Sequence, residues 1–241
     1  MKKIISMMCL MLVMGCSNSN TNVSQTSVPT STPGSSVEPT SQSLALPKIL
    51  AIGDSITEGT DLSSYPANLQ DLVGDKMEVI NFGVSGSSAQ DSAEFPYRST
   101  DSYQHSLNQD NVTDIIIMFG TNDTSLNSWS SREAFKESYV DLVDDYIEKY
   151  PNSNVYLCTI SQAFYLEGHA PGVAEYGIQP DNVVIVNEVI NEVANELNLT
   201  LIDVFSLTNV NNPWFFDDGI HPNAVGNVGI ANLVYQSITR D

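Results

Sequence analysis

The 241-residue chain carries 29 Asp and Glu against 9 Lys and Arg, a formal charge of −20 at pH 7 with histidine neutral. A surface of that sign repels nucleic acid and anionic head groups at long range, which favours uncharged or cationic substrates and no nucleic-acid partner. The three cysteines, Cys9, Cys16 and Cys158, are too few and too scattered for a disulfide framework or a zinc site.

Residues 1–15 read as an export leader, in which Lys2 and Lys3 precede an apolar run, Ile4 to Met14, that is too short to span a bilayer. The stretch LVMGCSNSN at its end resembles the cleavage box of bacterial lipoproteins. That resemblance implies cleavage before Cys16, lipidation of that cysteine, and a place in the bacterial cell envelope with the membrane as partner. Val13 and Met14 stand where such boxes carry Leu and a small residue, so a secreted product without the lipid is the alternative. After Cys16, residues 17–46 are mostly Ser, Thr, Asn, Pro and Gln with Glu38 as the one charge. Such a segment cannot bury enough apolar surface to offset its chain entropy, and residues 16–46 are expected to form a disordered tether. On coil statistics it reaches roughly 30 Å. Residues 47–241 then form one domain, long enough for a substantial core.

Within that domain, short apolar runs recur: KILAIG (48–53), MEVINF (77–82), DIIIMFG (114–120), NVYLCTI (154–160) and LTLIDV (199–204). Their near-continuous hydrophobicity predicts strands covered on both faces. Segments with helical period lie between them. Ser131 is placed to cap one whose stripe is Phe135, Tyr139, Leu142, Val143, Tyr146 and Ile147, ending before Pro151. Asp181 is placed to cap another with Val183, Val186, Val189, Ile190, Val193 and Leu197. The alternation predicts an α/β fold, a three-layer α/β/α sandwich on a five-stranded parallel sheet with right-handed crossovers. Ligands then bind beyond the carboxyl ends of the strands. Cys158, alone in an apolar run, reads as a buried thiol.

The loops after the strands carry the chemistry. In AIGDSITEG, Ser55 sits at a strand-to-helix turn that suits a nucleophile, although Asp54 and Ser55 are equally the residues that start a helix. NFGVSGSSAQD ends its strand in Gly83 and Gly86, either of which permits the close approach an N–H donor needs; a turn alone also explains them. The segment matches neither a phosphate loop nor the G-x-S-x-G elbow, since position 87 is Ser. Asn122 in MFGTNDT can donate its side-chain amide to a developing oxyanion, or simply form the turn. In WFFDDGIHPNAVG, Asp218 and His221 are spaced as one helical turn, so the carboxylate can fix the imidazole tautomer and leave its other nitrogen free to accept a proton from Ser55. Pro222 suits the first position of the last helix, and a helix-cap role is the plainer reading of His221.

Taken in order, these stretches resemble the SGNH, or GDSL-type, hydrolases, from Gly53 to Pro222. The resemblance implies a flavodoxin-like fold and a carboxylic ester hydrolase that needs no metal or organic cofactor. It implies Ser55 as nucleophile, His221 as base and Asp218 as its orienter, with the Ser55 N–H, Gly86 and Asn122 forming the oxyanion hole. Gly83 is the alternative to Gly86 and Asp217 to Asp218; GVSG fits the family best through its last Gly, and the spacing D-x-x-H selects Asp218. His105 and His169 lie outside these motifs.

Segments 88–112, 161–180 and 205–217 are expected to rim the site, and they contain Phe95, Tyr97, Arg98, Phe164, Tyr165, Tyr176, Trp214 and Phe215. Exposed aromatics stack on sugar rings or accept acyl chains, or pack their own loops. SYPANLQDLVG and FPYRSTDSYQ resemble the branch of the family associated with secreted, carbohydrate-directed esterases, which implies small acyl groups, acetyl first, on a glycan or other small ester. A lysophospholipase or short-chain lipid esterase is the alternative within the class, and a non-catalytic glycan-binding lipoprotein on the same fold is the alternative outside it. Oligomeric state is not determined by these residues.

Overall fold

In the computed structural model, residues 45–60, 63–164 and 175–239 are described; the leader, Cys16, the tether up to residue 44, Tyr165 and His169 lie outside them. Five strands, β1 (Lys48–Gly53), β2 (Glu78–Gly83), β3 (Val112–Met118), β4 (Asn154–Cys158) and β5 (Thr200–Ile202), pair in parallel in the order β2-β1-β3-β4-β5. The described helices are α1 (Ser55–Glu58), α2 (Tyr65–Val73), α3 (Asp101–Ser106), α4 (Arg132–Lys149), α5 (Pro180–Glu196), α6 (Val204–Asn209) and α7 (Ala224–Ile238). This is the expected α/β class with the expected five-stranded parallel sheet.

Two cores follow from the pleat, because successive strand residues point to opposite faces. Leu50, Ile52, Ile115 and Ile117 face α4 and α5, where they meet Phe135, Tyr139, Val186 and Ile190. Ile49, Ala51, Ile116 and Met118 face α2 and α7, where they meet Tyr65, Leu69, Ile230 and Val234. All of these side chains are essentially buried, and each Leu, Ile, Val, Met or Phe among them contributes roughly 1.5–3 kcal/mol. Cys158 lies in the second core, its thiol pushed far up by burial.

Several boundaries differ from expectation for local reasons. The last strand stops at Ile202 because Asp203 caps α6, accepting from the Ser206 N–H at 2.9 Å. Ser131 caps α4 as read, accepting from the Ala134 N–H at 3.1 Å. Asp181 does not cap α5: Pro180 begins that helix, Gln179 precedes it without a side-chain cap, and Asp181 stands in its first turn. Proline is pre-set for that first position, and the carboxylate still opposes the helix dipole.

Register is what creates a site. Gly53 pairs with Gly83 on β2 and with Met118 on β3, so three strands end level on one edge of the sheet. β1 joins β2 on one side and β3 on the other, which makes that edge a topological switch point where a crevice opens. Ser55, Gly86 and Asn122 each follow within a few residues of these ends.

Candidate active site

Asp54 does the capping at the end of β1, its Oδ1 accepting from the Ile56 N–H at 3.0 Å. Ser55 thereby becomes the first helical residue and its hydroxyl is left for other work. The helix-start reading of GDS is carried by Asp54, so the cap makes no demand on the Ser55 side chain. The Ser55 Oγ lies 2.9 Å from His221 Nε2, across 166 positions of sequence.

The loop that delivers His221 is a turn and not a turn of helix. Asp218 Oδ1 accepts from the Ile220 and His221 N–H groups at 2.8 and 3.0 Å, folding residues 218–221 around its own side chain. Its Oδ2 meets His221 Nδ1 at 2.7 Å. A carboxylate can only accept, so Nδ1 carries the proton and Nε2 is the acceptor for the Ser55 hydroxyl. Gly219 sits in the turn at φ +69°, where a side chain would strain the backbone and collide with the Phe164 carbonyl. Pro222 is not the first residue of α7: it bridges to Phe215, and Asn223 caps the helix, accepting from Val225 and Gly226 at 3.0 and 3.2 Å. The bridge is made by the flanking groups, the His221 carbonyl accepting from the Phe216 N–H at 2.9 Å and the Asn223 N–H donating to the Trp214 carbonyl at 2.7 Å, so it needs no N–H from Pro222. Asp217, the alternative to Asp218, is exposed.

Electrostatics follow the contacts. The Asp218 hydrogen bond holds His221 above its ordinary 6.5, against burial that pulls it down. Burial works to raise Asp218, yet hydrogen bonds from His221 and the Ile220 and His221 N–H groups keep it below 3.8. Beneath Ser55, Asp54 is fully buried, and desolvation raises it to about 7 despite the Ile56 N–H.

On the opposite wall, the two glycines separate. The Gly83 N–H is already given to Asn81 Oδ1 at 2.9 Å, and a Cβ there would lie 2.2 Å from the Glu58 nitrogen; Gly83 is a packing glycine. Gly86 has open space around it and φ +79°, so conformation and not room demands glycine. No partner for the N–H of Gly86 or of Ser55 is found among the described residues. Asn122 donates through Nδ2 to the Ser87 carbonyl at 2.9 Å, which leaves its second amide hydrogen for another acceptor. Asp123 beside it is buried, raised by desolvation to about 6, and accepts from the Ala89 and Gln90 N–H groups.

A cavity of ≈ 250 Å³ joins these groups, lined by Ser55, Gly86, Asn122 and His221 with Tyr176, Ile178 and Ile220. Most of the aromatics expected at the rim pack elsewhere. Tyr97 is buried against Phe119 and donates to the Phe82 carbonyl; Phe164 packs edge-on to the buried Phe215; the Trp214 ring covers Gly229. Arg98 pairs with Asp91 and Asp145. Among the described residues of that set, Tyr176 alone lines the cavity, 53% exposed, its ring edge-to-face with His221 at 6.1 Å. The walls Ile178 and Ile220 and the buried Asp54 and Asp123 carry no sequence signal beyond adjacency to strand ends and to Asn122. His105 lies in the last turn of α3, exposed, and does not line the cavity.

Among known proteins, the model of the GDSL-like Lipase/Acylhydrolase family matches residues 51–228. An acetylxylan esterase from Xylanibacter ruminicola is 27% identical over 217 residues, which cover 79% of this chain and 43% of that protein; the chain thus spans less than half of that relative's length. Among solved structures, an aryl esterase from M. smegmatis superposes with a TM-score of 0.66 at 18% identity, covering 80% of this chain and 98% of its own. A carbohydrate acetylesterase from Sinorhizobium meliloti does so with 0.65 at 16%, covering 80% and 98%. At such identities these two likenesses concern the fold.

Proposed function

We propose that the chain, which belongs to the GDSL-like lipase/acylhydrolase family, is a carboxylic ester hydrolase that removes short acyl groups, acetyl first, from carbohydrate through an acyl-enzyme on Ser55. The observation that carries this reading is the continuous relay from Ser55 Oγ to His221 Nε2 at 2.9 Å and from His221 Nδ1 to Asp218 Oδ2 at 2.7 Å. Ser55 attacks the ester carbonyl while Nε2 takes its proton, then returns that proton to the leaving alcohol. Asp218 holds the ring and stabilises the imidazolium. The oxyanion is received by the N–H groups of Ser55 and Gly86 and the free amide hydrogen of Asn122, each worth on the order of 3 kcal/mol of barrier. Water activated by His221 then releases the acid.

Three features support a small acyl group on a sugar. The cavity is small and walled by Ile178 and Ile220, Tyr176 offers an exposed ring face beside His221, and the Xylanibacter relative is an acetylxylan esterase. Export and anchoring through Cys16 at the cell envelope are part of the proposal and rest on the sequence of residues 1–46.

The test is hydrolysis of p-nitrophenyl esters from acetyl to palmitoyl, with acetate release from acetylated xylan, by the protein and by Ser55→Ala. Short-chain activity and acetate release, both lost in the variant, are expected. Preference for long chains points instead to a lipid esterase, and activity surviving in Ser55→Ala removes the nucleophile assignment.

A further inference from the structure

The loop after β2 is irregular, yet its backbone at Ala89 and Gln90 is buried. Buried N–H groups without a strand or helix to pair them need another acceptor. Asp123 supplies both: Oδ2 accepts from Ala89 at 3.0 Å and Oδ1 from Gln90 at 2.8 Å. Its side chain is fully buried, and it is joined covalently to Asn122, which holds the Ser87 carbonyl of the same loop at 2.9 Å. On the other side of Gly86, the Val84 N–H is held by the Gly53 carbonyl at 2.9 Å and the Ser85 N–H by Glu58 Oε2 at 2.7 Å. Gly86 is thus strung between fixed points on both sides, with its own N–H unclaimed among the described residues.

We propose that Asp123 is a positioning residue for the reaction: by clipping two consecutive N–H groups of the Gly86 loop to the residue after Asn122, its carboxylate sets the distance between two oxyanion donors. This rests on the oxyanion role given above to Gly86 and Asn122. A carboxylate is required because two donors converge on it. An amide presents one acceptor and turns its own N–H toward the second donor, so the loop must move to relieve the opposition. Displacement of a catalytic group by about 1 Å costs on the order of 100-fold in rate.

The experiment is a double-mutant cycle of Asp123→Asn and Asn122→Ala in the full chain, with p-nitrophenyl acetate as substrate and kcat expressed per site titrated by a serine-directed phosphonate. Asp123→Asn should lower kcat on the order of 10- to 100-fold with KM changed by less than about twofold. In the Asn122→Ala background the same substitution should cost markedly less, because one of the two donors it aligns is gone. Equal cost in both backgrounds, or a rise in KM at unchanged kcat, overturns the proposal and leaves Asp123 a part of the fold alone. If Asn122→Ala itself leaves kcat intact, the oxyanion assignment fails instead. Should Asp123→Asn not fold, Asp123→Ser, which keeps an acceptor on a side chain too small to reach both N–H groups, is taken through the same cycle.

Discussion

Asp54 lies directly before Ser55 in the turn after β1, and its burial makes a strong statement about stability. One carboxyl oxygen accepts from the Ile56 N–H, while Oδ2 is buried with no hydrogen-bond partner among the described residues. Desolvation raises the group from 3.8 to about 7. A folded-state value above the unfolded one means that the folded protein binds the extra proton. Stability from this group is therefore fully present below about pH 4 and is lost as pH rises to about 7. At 1.36 kcal/mol per unit, the loss is about 4 kcal/mol. Asp54→Asn keeps the cap and cannot ionise. The constant cost of burying its amide cancels when two pH values are compared, so the variant should gain about 4 kcal/mol on the wild type between pH 4 and pH 8. For a domain of this size that is roughly 10 °C in relative Tm. Urea titrations of both proteins at the two pH values measure it. A difference between variant and wild type that does not change with pH refutes the argument. An ionised Asp54 also favours protonated His221, so the variant's acid limb of kcat/KM should move down in pH.

Two further outcomes follow from the turn that carries His221. The kcat/KM profile should rise with pH through a pKa above 6.5, because Asp218 holds the His221 proton and only the neutral ring can accept from Ser55; Asp218→Asn should lower that pKa and reduce kcat on the order of 10⁴-fold. A flat profile from pH 5 to 9 contradicts this. Gly219→Ala places a Cβ 2.0 Å from the Phe164 carbonyl oxygen at φ +69°, and should cost at least about 2 kcal/mol in a urea titration and lower kcat as Asp218 shifts; unchanged stability counts against the turn geometry.

Much of the fold was legible because its signals are local. The five apolar runs, the Ser131 cap and the α4 stripe depend on residues a few positions apart, and chain chemistry sets them before any long-range contact forms. That Ser55, Asn122 and His221 would meet, with Asp218 behind the imidazole, was legible for a related reason: in a parallel sheet the residues that follow the strands share one edge, so position relative to a strand end already implies proximity. Other assignments needed the partner to be in place. Gly83 and Gly86 are alike in sequence, and only the approach of α1 and the Asn81 side chain shows that one packs while the other frees its N–H. Pro222 reads as a helix start until the bridge to Phe215 forms, and Tyr97 reads as a rim aromatic until Phe119 covers it. Asp54 and Asp123 are ordinary acids in the sequence. The register that levels three strand ends buries them, and it was the tertiary structure that made one a desolvated acid beside Ser55 and the other a clip across the Gly86 loop, because desolvation and irregular-loop hydrogen bonding are properties of surroundings that no local pattern contains.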